Sequence, residues 1–173
     1  PSNPVGCMMT ADALRRVIAA CSPRTLIVVD EAYREYAEID ADYPDARAIL
    51  REQGRPWLCL RTFSKAYGLA ALRIGYALAS SAEVASVLET VRDTFNTTMP
   101  AQEMATIALT DPAHMRACVA RTRASRSRMA APLRAMGLFV APAPTTLLFF
   151  PPAPDAMDSA GCLLPPVWGC VTL

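Results

Sequence analysis

Five consecutive residues, Thr25-Leu26-Ile27-Val28-Val29, are apolar or β-branched and run straight into Asp30-Glu31-Ala32-Tyr33. A run this short and this stiff at χ1 reads as a strand buried on both faces, not as a helix. Trp57 to Phe63 predicts a second strand and Arg73 to Ala79 a third, joined by a loop over Ser64 to Leu72. Strands buried on both faces need helices to cover them. Thr10 is placed to cap a helix whose Leu14, Val17, Ile18 and Cys21 recur at i, i+3, i+4, i+7, and Ser22-Pro23 stops it. A short helix is expected over Ala46 to Gln53 within an otherwise polar stretch. Ser80-x-x-Glu83 reads as a capping box ahead of a stripe of Val84, Val87, Leu88 and Val91. A further helix is expected over Gln102 to Leu109. Asp111-Pro112 then opens a long one, with Asp as cap and Pro in its first turn, ending near Gly137. Helices alternating with apolar strands make this an α/β fold with a mainly parallel sheet.

Beyond Gly137 the pattern changes. Leu138-Phe139-Val140 and Thr146 to Phe150 read as strands of a different unit. The chain is therefore expected to divide into a first unit over 1–110, a connecting helix over 111–136 and the start of a second, α+β unit over 137–173. Pro151, Pro152, Pro154, Pro165 and Pro166 leave little regular structure after Phe150.

Charge removes several function classes. The net charge is +1, which argues against a nucleic-acid partner, because phosphate-backbone affinity needs many cations on one face. Of 17 basic residues 16 are arginines, the one lysine is Lys65, and the one histidine is His114. Zinc hydrolysis built on two histidines is thereby excluded, and no metal site is expected. The arginines at 116, 121, 123, 126, 128 and 134 spread around the long helix and read as a solvated face, with His114 at its start as a surface or capping residue. The six cysteines form no C-x-x-C pair, and Cys59 sits inside an apolar run, so reduced thiols and a cytoplasmic location are expected. No signal peptide opens the chain, and its best apolar stretch, Gly137 to Phe150, is broken by Pro142 and Pro144, so no membrane partner is expected.

The chemistry gathers where two strands end. In open α/β sheets, ligands bind beyond the carboxyl ends of the strands, and both Asp30 and Lys65 fall just past such an end. A lysine amine becomes a useful nucleophile where its surroundings lower its proton affinity. Thr62 and Ser64 offer hydroxyls and Arg73 a guanidinium, a donor set suited to a phosphate. Asp30 closes a strand expected to be buried, where a carboxylate needs a cationic or N–H partner. Tyr33 stands three residues on. A lysine, a phosphate cradle, an aspartate and a tyrosine together describe a pyridoxal-phosphate site.

The wording of these segments resembles one family. Asn3-Pro4-Val5-Gly6, the strand ending Asp30-Glu31-Ala32-Tyr33, the run Leu60 to Tyr76 around Lys65, and Arg92-Asp93-Thr94-Phe95-Asn96 are all similar to segments of the fold-type-I, class I/II aminotransferases, above all the histidinol-phosphate aminotransferases. The likeness spans about residues 1 to 150. It implies that Lys65 bonds the cofactor aldehyde and moves the proton at the substrate α-carbon. It implies that Asp30 pairs with the pyridinium N–H, that Asn3 and Tyr33 reach the phenolic oxygen, and that Thr62, Ser64 and Arg73 hold the phosphate. It also implies a cis Asn3–Pro4 bond, a homodimer, an amino donor such as L-histidinol phosphate, and 2-oxoglutarate as the 2-oxo acid.

Val5, Ala71 and Thr146 depart from the family wording, and from about Ala153 the sequence no longer follows it. Its aromatic stacking residue and its late substrate-binding arginine have no counterpart, so a fragment or truncated product is expected. An aromatic amino-acid aminotransferase or a threonine-phosphate decarboxylase shares the lysine segment. An aminotransferase-like regulatory domain, without turnover, is the alternative from another functional class.

Overall fold

The computed structural model describes residues 1–150 and 169–172. Among them are six helices and five strands. Helix α1 (Ala11–Ala20) leads to β1 (Ile27–Asp30), the single turn α2 (Arg34–Ala37) and α3 (Ala46–Glu52). Strand β2 (Trp57–Thr62) and β3 (Gly75–Ala79) follow, then α4 (Ala82–Val91), α5 (Met99–Thr110), α6 (Pro112–Ala135), β4 (Leu147–Phe150) and β5 (Gly169–Thr172). The first sheet has the order β1-β2-β3, with β1 and β2 parallel and β3 antiparallel to β2. Strands β4 and β5 form a separate antiparallel pair. The α/β class holds, with a partial sheet.

Caps set several boundaries. Thr10 accepts from the Ala13 N–H and starts α1, as its position predicted. Arg55 closes the other end of α1, donating to the carbonyls of Ile18 and Cys21 at 2.8 Å each. Asp111 caps α6 through the His114 N–H at 3.0 Å, with Pro112 in the first turn. Gly137, at φ +81°, takes the left-handed conformation that follows the helix end. The capping box at Ser80 is corrected by one residue: Ser81 caps α4, accepting from Val84 N–H. Ser80 is held elsewhere. Its hydroxyl accepts from the Trp57 N–H at 3.1 Å, and its own N–H donates to the Trp57 carbonyl at 2.9 Å.

The main core lies between α1, α3 and the sheet. Leu14, Ile18, Ile27, Ile49, Leu50, Trp57 and Cys59 pack there, and Arg51 lies over the Trp57 ring. The expectation that β1 is buried on both faces fails. Ile27 points into the core, but Val28 is 52% exposed, because no described element covers the face it points to. The stripe on α4 is likewise not buried: Val87 and Val91 are exposed. Leu138-Phe139-Val140 is not a strand. It leaves α6 through a Leu138 N–H to Leu133 carbonyl bond, Val140 packs with Leu148 of β4, and the Ala141 N–H donates to the Phe149 carbonyl. Strand β5 was not foreseen. Trp168, Cys162 and the proline-rich stretch lie outside the described residues, whereas Cys7, Cys21, Cys59 and Cys118 are free thiols.

Helix α6 is more than a solvated face. Arg123 pairs with Asp40 at 3.3 Å, Arg126 donates to the Thr145 carbonyl at 2.7 Å, and Arg134 reaches the Val140 carbonyl. These bonds tie α6 to the segments on either side of it. Among the described residues no helix is long and apolar enough to cross a membrane.

Candidate active site

The site begins with the loop between β2 and β3. The ladder pairs Thr62 with Gly75, and the Phe63 N–H continues it to the Ile74 carbonyl at 3.2 Å. Gly75 is required at that point: a Cβ there would stand 2.6 Å from the Arg61 carbonyl oxygen. The loop closes on itself through the Leu69 N–H to the Phe63 carbonyl, at 2.9 Å. Phe63, Ile74, Ala101 and Ala105 form the packed base beneath it, joined by the tilted rings of Tyr67 and Tyr76. Thr62, Ser64, Lys65 and Arg73 are therefore carried by one braced loop at one end of the sheet.

Within the loop each donor has a defined role. The Thr62 hydroxyl oxygen accepts from the Ser64 N–H at 3.0 Å, a local turn that leaves the hydroxyl hydrogen to be donated outward. Arg73 sits at φ +53°, unusual for a residue with a side chain, and one of its terminal nitrogens donates to the Ala70 carbonyl at 2.7 Å. The rest of its guanidinium faces solvent, as the residue is exposed. The Lys65 ammonium stands 5.4 Å from the centroid of the Tyr33 ring, within cation–π range. Tyr33 is itself buried, packed with Tyr36, Ala66 and Val119 of α6. Burial pushes the Tyr36 hydroxyl above its ordinary range.

Strand β1 brings the carboxylate. Asp30 pairs with Leu60 in the parallel ladder, so it ends at the same edge as the loop. The expected burial of Asp30 is corrected: the residue is exposed at the carboxyl end of β1, where no described element covers it. One of its oxygens accepts from the Ala32 N–H at 2.9 Å, and this orients the group. Asn3 lies on an exposed turn after a cis Asn3–Pro4 bond. Gly6 is wedged in the same segment, its α-carbon hard against Ala143. No described hydrogen bond joins Asn3 to Tyr33 or to Lys65.

One group here was missed from the sequence. Glu31, 3% exposed, receives the Arg61 Nε–H at 2.8 Å, and Arg61 Nη2 stands 2.8 Å from the same Oε2. The Tyr43 hydroxyl donates to Oε1 at 3.4 Å. The signal was available in part: an acid and a base each one residue from a site residue, on two strands expected in one sheet. The donor set as a whole fits a phosphorylated, aldehyde-bearing cofactor. It offers a primary amine, a carboxylate at a strand end, two hydroxyls and a guanidinium on one edge.

Comparison with known proteins agrees. Residues 1–160 match the family model for aminotransferase class I and II. The chain is 45% identical over 164 residues to histidinol-phosphate aminotransferase 3 of Rhizobium meliloti (strain 1021), covering 95% of this chain and 44% of that protein. It is 47% identical over 150 residues to histidinol-phosphate aminotransferase 1 of Mesorhizobium japonicum, covering 87% of this chain and 41% of the relative. Among solved structures, histidinol-phosphate aminotransferase from Sinorhizobium meliloti, in complex with pyridoxal-5'-phosphate, superposes with a TM-score of 0.78 at 31% identity, over 93% of this chain and 46% of that one. The chain thus spans less than half the length of these relatives. A matched span of this extent, together with the braced lysine loop, places the chain in the family of class I and II aminotransferases.

Proposed function

We propose that this chain forms part of a pyridoxal-phosphate-dependent aminotransferase that acts on L-histidinol phosphate, with 2-oxoglutarate as amino acceptor, in histidine biosynthesis. The observation that carries this is the lysine loop: Lys65 over the Tyr33 ring, with Thr62, Ser64 and Arg73 on the same loop and Asp30 on the adjacent strand end. When bound, pyridoxal phosphate supplies an electron sink for negative charge at the substrate α-carbon.

The residues divide the remaining work. Lys65 supplies the primary amine that bonds the cofactor and, when freed, carries the proton to and from the α-carbon. Asp30 accepts from the pyridinium N–H and holds it protonated. Tyr33 and Asn3 hydrogen-bond the phenolic oxygen. Thr62 and Ser64 donate single bonds to the phosphate, and Arg73 offers its planar fork.

Residues 1–110 are read as part of the cofactor-binding domain, 111–136 as the connecting helix, and 137–173 as the start of the small domain. A homodimer in the cytoplasm is part of the same proposal. The choice of histidinol phosphate rests on the names of the relatives at 45% and 47% identity.

The test uses the full gene product. It is loaded with pyridoxal phosphate, reduced with borohydride, digested and mapped. An adduct on Lys65 is expected, and an adduct elsewhere overturns the roles given above. Parallel assays with histidinol phosphate and with phenylalanine then fix the donor. Faster turnover of phenylalanine would replace the proposed substrate with an aromatic amino acid.

A further inference from the structure

The buried ion pair between Glu31 and Arg61 has no place among the groups assigned to cofactor or substrate. Its position is unusual. Glu31 directly follows Asp30, and Arg61 directly precedes Thr62, four residues before Lys65. The ladder between β1 and β2 ends at this level: the last parallel pair is Asp30 with Leu60, and one further bond runs from the Glu31 N–H to the Leu60 carbonyl at 2.8 Å. Past that bond the two chains part, one into α2 and the other into the lysine loop. The Glu31–Arg61 contact spans them where the backbone no longer does.

The pair is held on both sides. Tyr43 donates to Glu31 at 3.4 Å, and Tyr76 is the cross-strand neighbour of Arg61. Burial works against the Arg61 charge, but the Tyr76 hydroxyl and the Glu31 carboxylate outweigh it and push its pKa upward. Exposure of the two side chains is 9% and 3%. Desolvating two charges to this degree consumes most of what their attraction returns, so such a pair is a poor source of net stability. What it supplies is geometry. Two Arg61 nitrogens converge on the single oxygen Oε2, with Nε–H making the hydrogen bond, and the narrow angular range of that charge-assisted bond limits rotation of either partner.

We propose that Glu31 and Arg61 are positioning residues: their ion pair sets the separation and orientation of the strand ends that carry Asp30 and Lys65. The proposal rests on the pyridoxal-phosphate reading of the site. Neither side chain touches the cofactor in this scheme. Glu31 acts on Asp30 through the backbone that joins them, and Arg61 acts on Thr62 and the start of the lysine loop in the same way.

The test compares the full gene product with three variants: Glu31→Gln, Arg61→Lys, and the double variant Glu31→Met with Arg61→Met. Three quantities are read for each: thermal midpoint, dissociation constant for pyridoxal phosphate by fluorescence quenching, and the kcat and KM for the amino donor. The double variant is expected to unfold close to wild type, since an apolar pair of similar volume replaces a buried ionic one. Its cofactor affinity is expected to fall by about tenfold or more, the cost of losing one well-placed charge-assisted hydrogen bond. Its kcat is expected to fall further than its KM rises. Arg61→Lys keeps the charge without the fork and is expected to fall between the two.

Where the double variant does not fold, Glu31→Gln decides, because it keeps the shape and one oxygen to accept from Arg61 while removing the charge and one of the two acceptors. Weakened cofactor binding by a variant that is still folded at the assay temperature supports the inference. Wild-type affinity in the folded variants overturns it and leaves the functional reading intact. Failure of the wild-type protein to bind pyridoxal phosphate overturns both.

Discussion

The Lys65 ammonium stands 5.4 Å from the centroid of the Tyr33 ring, although 32 positions separate the two residues in the chain. Tyr33 is fixed from below by Tyr36, Ala66 and Val119, so the ring is a rigid wall beside a flexible amine. An ammonium over an aromatic face is held by the ring quadrupole, and the hold is worth about 0.5–1 kcal/mol where water can reach it. The contact comes from two strands ending at one level.

Charge and chemistry at position 65 can be separated. Lys65→Arg keeps a cation that can lie over Tyr33 but supplies no primary amine. The variant is expected to unfold within about 1 kcal/mol of wild type, the scale of the cation–π contact itself. Borohydride reduction after exposure to pyridoxal phosphate is expected to leave it without a covalent adduct. Mass spectrometry of the reduced protein reads the result directly, and an adduct at wild-type yield would remove Lys65 from its role.

Position 73 separates backbone strain from ligand binding. Arg73 occupies the left-handed region at φ +53°, which costs a residue with a Cβ about 1–2 kcal/mol. Arg73→Gly relieves that strain, loses the bond to the Ala70 carbonyl and gains unfolded-state entropy, so stability is expected to change by less than about 1 kcal/mol. Affinity for pyridoxal phosphate is expected to drop by about tenfold or more, since a charged donor to the phosphate is gone. Urea denaturation and cofactor titration on the same preparation check both halves.

Glu35 gives a pH dependence of known sign. It is 5% exposed, and burial raises its carboxyl above the ordinary 4.5. The folded protein therefore binds this proton more tightly than the unfolded chain does. The associated stability is present below pH 4.5 and is lost as the pH rises through the folded value. Glu35→Gln is expected to be more stable than wild type at neutral pH, with the difference shrinking as the pH falls. Thermal midpoints of the two proteins measured across that range decide it. A constant offset would mean that the Glu35 carboxyl titrates alike in the folded and the unfolded protein.

The thiols should label in a set order. Cys59 is fully buried in the core beneath β2, and burial pushes its thiol up to about 11. Cys7 is exposed. Only the thiolate reacts, so timed alkylation at neutral pH is expected to modify Cys7 well before Cys59. Peptide mapping at intervals reads the order, and early labelling of Cys59 would show that the core between α1, α3 and the sheet opens readily.

Much of this protein was legible in its sequence. The α1 and α6 caps at Thr10 and Asp111, the three sheet strands and the lysine loop follow from local chemistry, because each depends on residues within a few positions of one another. The residue types of the site were legible too, since a Schiff-base chemistry needs an amine that only Lys65 can supply in this chain. Burial was not legible. An apolar β-branched run does not say which of its faces another element covers, and only the tertiary structure shows that Val28 and Asp30 are exposed among the described residues. The pairing of Glu31 with Arg61, 30 positions apart, was also decided by the fold. Sequence fixes which groups are present and how each segment bends. Which charge meets which depends on the register between strands, a property of the assembled sheet that no single segment carries.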